Sequence, residues 1–131
     1  MNLEKQRPVS KAVIGFGWLL SLLPSLMLLF SGIMKLLRPE DVVKGFEHRG
    51  YPDHLALALG IVEIGCTLIY LFPRTAVLGA ILLTGYLGGA IATHVRILEW
   101  QFVAALVLGV LVWGGLFLRD LRVRALIPVR T

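Results

Sequence analysis

Residues 84–96 read Thr-Gly-Tyr-Leu-Gly-Gly-Ala-Ile-Ala-Thr-His-Val-Arg, a run that combines small residues and one histidine in a single apolar segment. Gly85 and Gly89 are four residues apart, so they lie on one face of a helix, and a second pair of small residues lies beside them. Small residues in such rows let helices approach closely in a membrane. The segment therefore predicts a helix at the packing centre of a membrane bundle, with His94 near its polar end.

The composition of the whole chain favours a membrane protein. Of its 131 residues, 57% are hydrophobic and 16% are charged, and the mean hydropathy is +0.82. Soluble domains carry about 25% charged residues. The net charge of +5 is expected from basic loops at a membrane surface, and no nucleic-acid-binding signature accompanies it. We expect one integral membrane domain over residues 1–131.

Four apolar runs are long enough to be helices that span a bilayer. They cover residues 12–34, 55–72, 76–95 and 102–118. The first run exceeds the roughly 7–15 apolar residues of a signal peptide, so we interpret it as a spanning helix. Residues 41–48 have apolar side chains at spacings of three and four and predict a short amphipathic helix at the interface. The predicted fold is an all-α, four-transmembrane-helix bundle in the lipid bilayer, with that amphipathic segment between helices one and two.

The distribution of basic residues predicts the orientation. Four spans place both termini on one side of the membrane, and basic residues favour the cytoplasmic side. Eight basic residues lie on the side of the termini and five on the other. The eight are Lys5, Arg7, Lys11, Arg74, Arg119, Arg122, Arg124 and Arg130, and the five are Lys35, Arg38, Lys44, Arg49 and Arg96. Both termini are therefore predicted to be cytoplasmic.

Glu63 is the most informative single residue, because it is an ionisable group far inside the second apolar run. At 1.5 Å per residue it lies about 13 Å below the start of its helix, level with Tyr86 on the third helix. Thr67 shares its helix face, so a deep polar layer is predicted. An ionisable group at this depth indicates function by default. The alternative is a neutral, hydrogen-bonded carboxyl group that only holds two helices together.

A second, shallower polar layer is predicted where the outer ends of the helices meet the polar segment 38–54 and the loop that contains Glu99. Each member has a structural alternative. Lys35 can reach inward or extend outward as an interfacial anchor, and His94 can simply cap a helix end. The layer comprises Ser31, Lys35, Thr93 and His94, and Arg96 lies at the same outer face.

Metal binding is not predicted. The three histidines are His48, His54 and His94, and their spacing matches no metal-ligand pattern. The single cysteine, Cys66, excludes an intrachain disulfide.

Taken together, the motifs resemble those of the DoxX-like family of small four-helix membrane proteins. The features that carry the resemblance are Ser31-Gly32 with Lys35, Pro39, Phe46, Gly50-Tyr51-Pro52, Gly60 with Glu63, Pro73-Arg74 and the run 79–90 followed by His94. The resemblance implies a helical bundle in the bacterial inner membrane. One relative is a membrane subunit of a thiosulfate:quinone oxidoreductase, and others are linked to oxidative-stress complexes or to assembly of partner proteins. The resemblance leaves the cofactor open, with a quinone as one candidate, and makes a membrane or redox protein a candidate partner.

Two functions remain open, and the sequence does not decide whether the protein is an enzyme. In the first, the bundle binds a lipophilic small molecule, for which a quinone is one candidate. Glu63, His94 and Lys35 are then the candidate catalytic groups, and Ser31, Thr67, Tyr86, Thr93 and Arg96 are the candidate ligand-binding residues. In the second, the protein is a non-enzymatic scaffold or assembly factor for a partner membrane or redox protein. A transporter of this size would have to form a homo-oligomer.

Overall fold

The structure, a computed structural model, describes residues 10–52 and 54–130. Within these residues the chain forms six α-helices and a 3₁₀ turn at Pro73–Thr75. The helices are α1 (Lys11–Leu37), α2 (Glu40–His48), α3 (Leu55–Leu71), α4 (Ala76–Arg96), α5 (Phe102–Arg119) and α6 (Leu121–Leu126).

The four long helices form an antiparallel ring in the order α1, α3, α4, α5, in which each packs against two neighbours. The short helices lie at the two ends of this ring, with α2 against α3 and α6 against α5. The predicted all-α bundle with an amphipathic helix between its first two long helices is confirmed. Helix α1 continues three residues beyond its predicted end and stops at Arg38, whose left-handed conformation ends the helix directly before Pro39.

The interior of the bundle combines an apolar core with a few buried polar side chains, and apolar side chains cover the outside. Ser21 and Thr67 are fully buried, whereas Leu26 and Phe30 are 64% and 67% exposed. This distribution suits a bilayer, where exposed side chains contact lipid and polar groups must find partners within the protein. Among the described residues, three helical segments are long and apolar enough to cross a membrane. They are α1, Pro73–Arg96 and α5, while α3 is apolar but has 17 residues.

The closest helix contacts occur at glycines outside the run 84–96. A Cβ on Gly60 would lie 2.8 Å from the carbonyl oxygen of Gly32, where α1 crosses α3. A Cβ on Gly115 would lie 2.9 Å from the carbonyl oxygen of Gly17, where α1 crosses α5. A larger residue at either position would force the two helices apart, because the facing atoms include backbone.

The prediction that the run 84–96 is the packing centre is wrong. A Cβ on Gly85, Gly88 or Gly89 would meet no atom within 4 Å among the described residues. Spacing of four residues places glycines on one face, but it does not say whether a helix or an open space lies opposite. On α4, open space and not another helix lies opposite these three glycines.

The bundle is closed at the end where α3 and α5 terminate. The Tyr70 hydroxyl donates to the carbonyl oxygen of Val112 at 2.6 Å and lies 2.9 Å from Ser21 Oγ. Arg119 donates to the same Ser21 oxygen at 3.0 Å and stacks over the Trp18 ring at 4.1 Å. These contacts join α1, α3 and α5 at this end of the bundle.

The orientation in the membrane stays a prediction. Two of the basic residues on which it depends, Lys5 and Arg7, lie outside the described residues.

Candidate ligand-binding cavity

A cavity of about 700 Å³ occupies the half of the bundle opposite Tyr70. Its walls come from all four long helices, and the turn after α2 contributes to its mouth. Most of the lining is apolar, including Met27, Leu28, Leu55, Leu59, Leu87, Ala90, Ala104, Ala105 and Leu108. The polar lining residues are Ser31, Lys35, Arg49, Tyr51, Glu63, Tyr86, Thr93, His94 and Gln101.

Glu63 is the centre of a buried polar cluster that joins three helices. Its side chain is 2% exposed, and its Oε2 atom accepts from Lys35 Nζ at 2.8 Å and from the Tyr86 hydroxyl at 2.9 Å. Lys35 Nζ also donates to Ser31 Oγ at 2.7 Å. The prediction that Glu63 and Tyr86 lie at the same depth in the bundle is confirmed. Lys35 extends inward to Glu63. We call Ser31, Lys35, Glu63 and Tyr86 the deep cluster.

The close crossing of α1 and α3 explains why Lys35 reaches inward. A Cβ on Gly60 would lie 3.0 Å from the Cβ of Lys35. Because Gly60 has no side chain, the Lys35 stem can pass along α3 toward Glu63, which is three residues further on. Lys35 is 19% exposed as a result.

At the mouth of the cavity, the Glu99 carboxylate contacts polar side chains from the end of α2, from the turn after it and from the end of α4. Its Oε2 atom lies 3.1 Å from His94 Nδ1 and 3.5 Å from Arg49 Nη2, and its Oε1 atom lies 3.6 Å from His48 Nε2. Burial acts to raise the pKa of the Glu99 carboxyl group. The hydrogen bond with His94 and the charge of Arg49 outweigh burial and lower this pKa below its ordinary value. We call these four residues the mouth cluster.

The turn after α4 places Glu99 over His94. Leu98 has a φ of 58°, in the left-handed region, and this reverses the chain. The Glu99 amide then donates to the carbonyl oxygen of His94 at 2.8 Å. A side-chain contact and a backbone contact hold the turn after α2 against the same end of α4. Tyr51 and Thr93 share a 2.8 Å hydrogen bond, and Arg96 donates to the carbonyl oxygen of Arg49.

Two buried atoms of the mouth cluster have no hydrogen-bond partner among the described residues. They are Arg49 Nε and Glu99 Oε1. Arginine and carboxylate groups pair best as a fork with two parallel bonds. A single 3.5 Å contact joins this pair, so Arg49 and Glu99 do not form such a fork.

Six of the eight site residues indicated by the sequence line the cavity. They are Ser31, Lys35, Glu63, Tyr86, Thr93 and His94. The other two are elsewhere: Thr67 donates to the backbone carbonyl of Glu63 at 2.7 Å, and Arg96 holds the turn after α2. Their assignment as ligand-binding residues stays a prediction without support from the cavity lining.

Three polar residues of the lining were not singled out as site residues from the sequence. They are Arg49, Tyr51 and Gln101. The available signal was the predicted meeting of the segment 38–54 with the end of α4. That signal indicates the region but not the side chains, because the turn conformations decide which of them face inward.

A second depression lies on the outer face of α4 and α5. It has a volume of about 570 Å³ and is lined by apolar and small residues, including Gly88, Ile91, Gly109 and Phe117. Trp113 Nε1 donates to Thr84 Oγ1 at 2.7 Å across it. We call this depression the outer groove.

Comparison with protein families gives one informative result. The model of a family described as the DoxX-like family matches residues 19–115, which is 97 of the 131 residues. The matched region contains the whole deep cluster and the mouth cluster. Comparison with curated proteins and with solved structures gives no match.

Proposed function

The chain belongs to the DoxX-like family, and we propose that it binds a lipophilic small molecule with a polar head in the cavity between its four long helices. The polar head would lie at the deep cluster and the apolar body would extend between the helices. The mouth cluster would close over the occupied site.

The observation that carries this proposal is the position of the deep cluster at the end of an apolar cavity. Pockets for small molecules are mostly apolar, have volumes of about 300–1,000 Å³ and contain a few polar groups that fix orientation. A carboxyl group that only held helices together would need no such space beside it. Ionisable groups within a membrane are costly and usually serve function.

A quinone is one candidate ligand. Its ring carbonyls could accept from Lys35, and its apolar tail would lie along side chains such as Leu59 and Leu108 that line the cavity. The Glu63 carboxyl group could exchange protons with a bound head group. The redox role, like the location in the bacterial inner membrane, is part of this proposal and rests on the family resemblance.

Two neighbouring glycines allow a direct test. Gly89 lines the cavity, Gly88 lines the outer groove, and a Cβ at either position would meet no described atom within 4 Å. Gly89→Leu should therefore fill part of the cavity without disturbing helix packing, and Gly88→Leu is the matched control. Molecules extracted from each protein after mild-detergent purification are identified and quantified by mass spectrometry.

We expect wild type and Gly88→Leu to carry the same lipophilic molecule. In Gly89→Leu its amount per protein should fall at least about tenfold, since a side chain would occupy its place. The thermal unfolding midpoint of each variant shows that the fold is intact. Equal amounts in both variants would contradict binding in the cavity.

The outer groove favours a second candidate function, that of a scaffold for a partner membrane protein. Open space above Gly88 and Gly114 would allow another helix to approach closely. In this case Gly88→Leu should remove a stoichiometric protein from the purified material, while Gly89→Leu should retain it. The same two variants thus distinguish the two functions.

A further inference from the structure

The deep cluster presents one free acceptor and one free donor side by side. Both contacts to the Glu63 carboxyl group go to Oε2, and within residues 10–52 and 54–130 no side chain donates to Oε1. Lys35 Nζ carries three protons, of which Ser31 and Glu63 receive two. The third proton and the Oε1 lone pairs are available to a molecule in the cavity.

This pair of groups fits a hydroxyl group, which can donate one hydrogen bond and accept others. The hydroxyl would donate to Glu63 Oε1 and accept from Lys35 Nζ. Resting on the function proposed above, we propose that the cavity selects apolar molecules whose head is a neutral hydroxyl group, such as an alkylphenol or a reduced quinone.

Other head groups satisfy this pair less well. A carbonyl or ether oxygen can accept from Lys35 but leaves Glu63 Oε1 without a donor, and an unpaired buried polar atom is costly. A carboxylate or phosphate would be repelled by Glu63, and an ammonium group by Lys35, in a site with little solvent screening. The preference for a hydroxyl head group therefore comes as much from the unpaired or repelled groups that other heads leave in the site as from the two hydrogen bonds that the hydroxyl makes.

A pair of probes that differ only at the head group tests this selectivity. In 4-nonylphenol the head is a hydroxyl group that stays protonated at pH 7, as in tyrosine, and in 4-nonylanisole it is a methyl ether. Equilibrium dialysis against the purified full chain in detergent gives each affinity, expressed per mole fraction in the micelle. This correction removes the difference in partition between the two probes.

We expect the phenol to bind about tenfold more tightly than the ether, as for loss of one hydrogen bond to a charged group. The double variant Lys35→Met with Glu63→Leu removes both polar groups together, and a buried ion pair can be replaced by apolar residues without loss of the fold. In this variant the ratio of the two affinities should fall to about one. A melting curve verifies that the variant is folded.

Each contrary result has a distinct meaning. If wild type binds both probes equally and Gly89→Leu binds neither, the hydroxyl selectivity is wrong and the cavity remains a site for lipophilic molecules. If the ratio is unchanged in the double variant, the deep cluster does not recognise the head group. If neither probe binds wild type, or if Gly89→Leu leaves both affinities unchanged, the selectivity and binding of these molecules in the cavity are both contradicted.

Discussion

At the scale of single residues, the environment of Glu63 is the most consequential feature. A carboxyl group that is 2% exposed inside an apolar bundle depends on its partners, because burying a charge without compensation costs several kcal/mol. Lys35 and Tyr86 supply that compensation, yet both bond to the same oxygen. The Oε2 atom of Glu63 therefore has two donors, whereas Oε1 has no side-chain donor among the described residues.

The ion pair leads to a prediction for stability. Glu63→Gln leaves the Lys35 ammonium group beside a neutral amide, and removal of one partner from a buried pair costs about 3–5 kcal/mol. The free energy of unfolding, measured by denaturant titration in detergent, should fall by about 3 kcal/mol. Lys35→Met combined with Glu63→Leu should recover most of this loss. A single variant as stable as wild type would contradict the inward position of Lys35.

Tyr86→Phe should destabilise the protein less than Glu63→Gln does. It keeps the ion pair and removes only the hydroxyl hydrogen bond to Glu63, so the unfolding free energy should fall by about 1–2 kcal/mol. A loss as large as that of Glu63→Gln would mean that Tyr86, and not Lys35, is the main partner of Glu63.

The mouth cluster leads to a prediction for pH dependence. The folded-state pKa of Glu99 is lowered, so its contribution to stability is complete above the unfolded value of about 4.3 and is lost as pH falls through the folded value. The difference in melting midpoint between wild type and Glu99→Gln should therefore shrink as pH falls below about 4. Glu47→Gln, on the exposed side of α2, is the control and should show no such trend. A wild-type advantage that grows as pH falls below about 4 would contradict the assigned sign.

The sequence predicted those features of single residues that follow from regular helix geometry, and it did not predict those that depend on neighbouring helices or turns. The level of Glu63 with Tyr86 followed from the rise per residue. The direction of Lys35 did not, because a lysine near a helix end can extend either way and the choice depends on the space left by Gly60. The contact of His94 with Glu99 depends on the left-handed Leu98, a conformation for which leucine gives no sequence signal.

At the scale of helices, glycines have two different roles that spacing alone does not separate. Gly32 and Gly60 allow α1 and α3 to cross with their backbones in near contact, whereas Gly85 and Gly89 leave room for a cavity. Apolar length and the polar segments between helices were sufficient to predict the four helices and α2. Which glycine faces which neighbour depends on helix rotation, and a single sequence does not fix it.

Two glycines of α3 test this distinction. A Cβ on Gly60 would lie 2.8 Å from a backbone oxygen, whereas a Cβ on Gly65 would meet nothing described within 4 Å. Gly60→Ala should lower the free energy of unfolding by about 1–3 kcal/mol through overpacking. Gly65→Ala should raise it by about 0.5 kcal/mol, since alanine favours helix more than glycine does. Equal effects in the two variants, measured by the same denaturant titration, would contradict the close crossing of α1 and α3.

At the scale of the whole molecule, the two ends of the bundle differ. Tyr70, Ser21 and Arg119 close one end, and the other end holds the cavity beneath α2 and the mouth cluster. Within the described chain this gives a bundle with a polar base deep inside, apolar walls and a polar mouth. Such a shape fits an amphiphilic molecule that enters from the membrane or its interface, and it is the basis of the function proposed here.

Photoaffinity labelling tests this central claim most directly. An alkylphenol with a diazirine in its alkyl chain is irradiated with the protein in membranes, and the labelled residues are mapped by mass spectrometry. Labels are predicted on cavity residues such as Leu59, Ala90 and Leu108, and they should be lost in Gly89→Leu. Labels confined to outward-facing residues such as Leu106 and Val110, with the cavity residues unlabelled, would contradict binding inside the bundle.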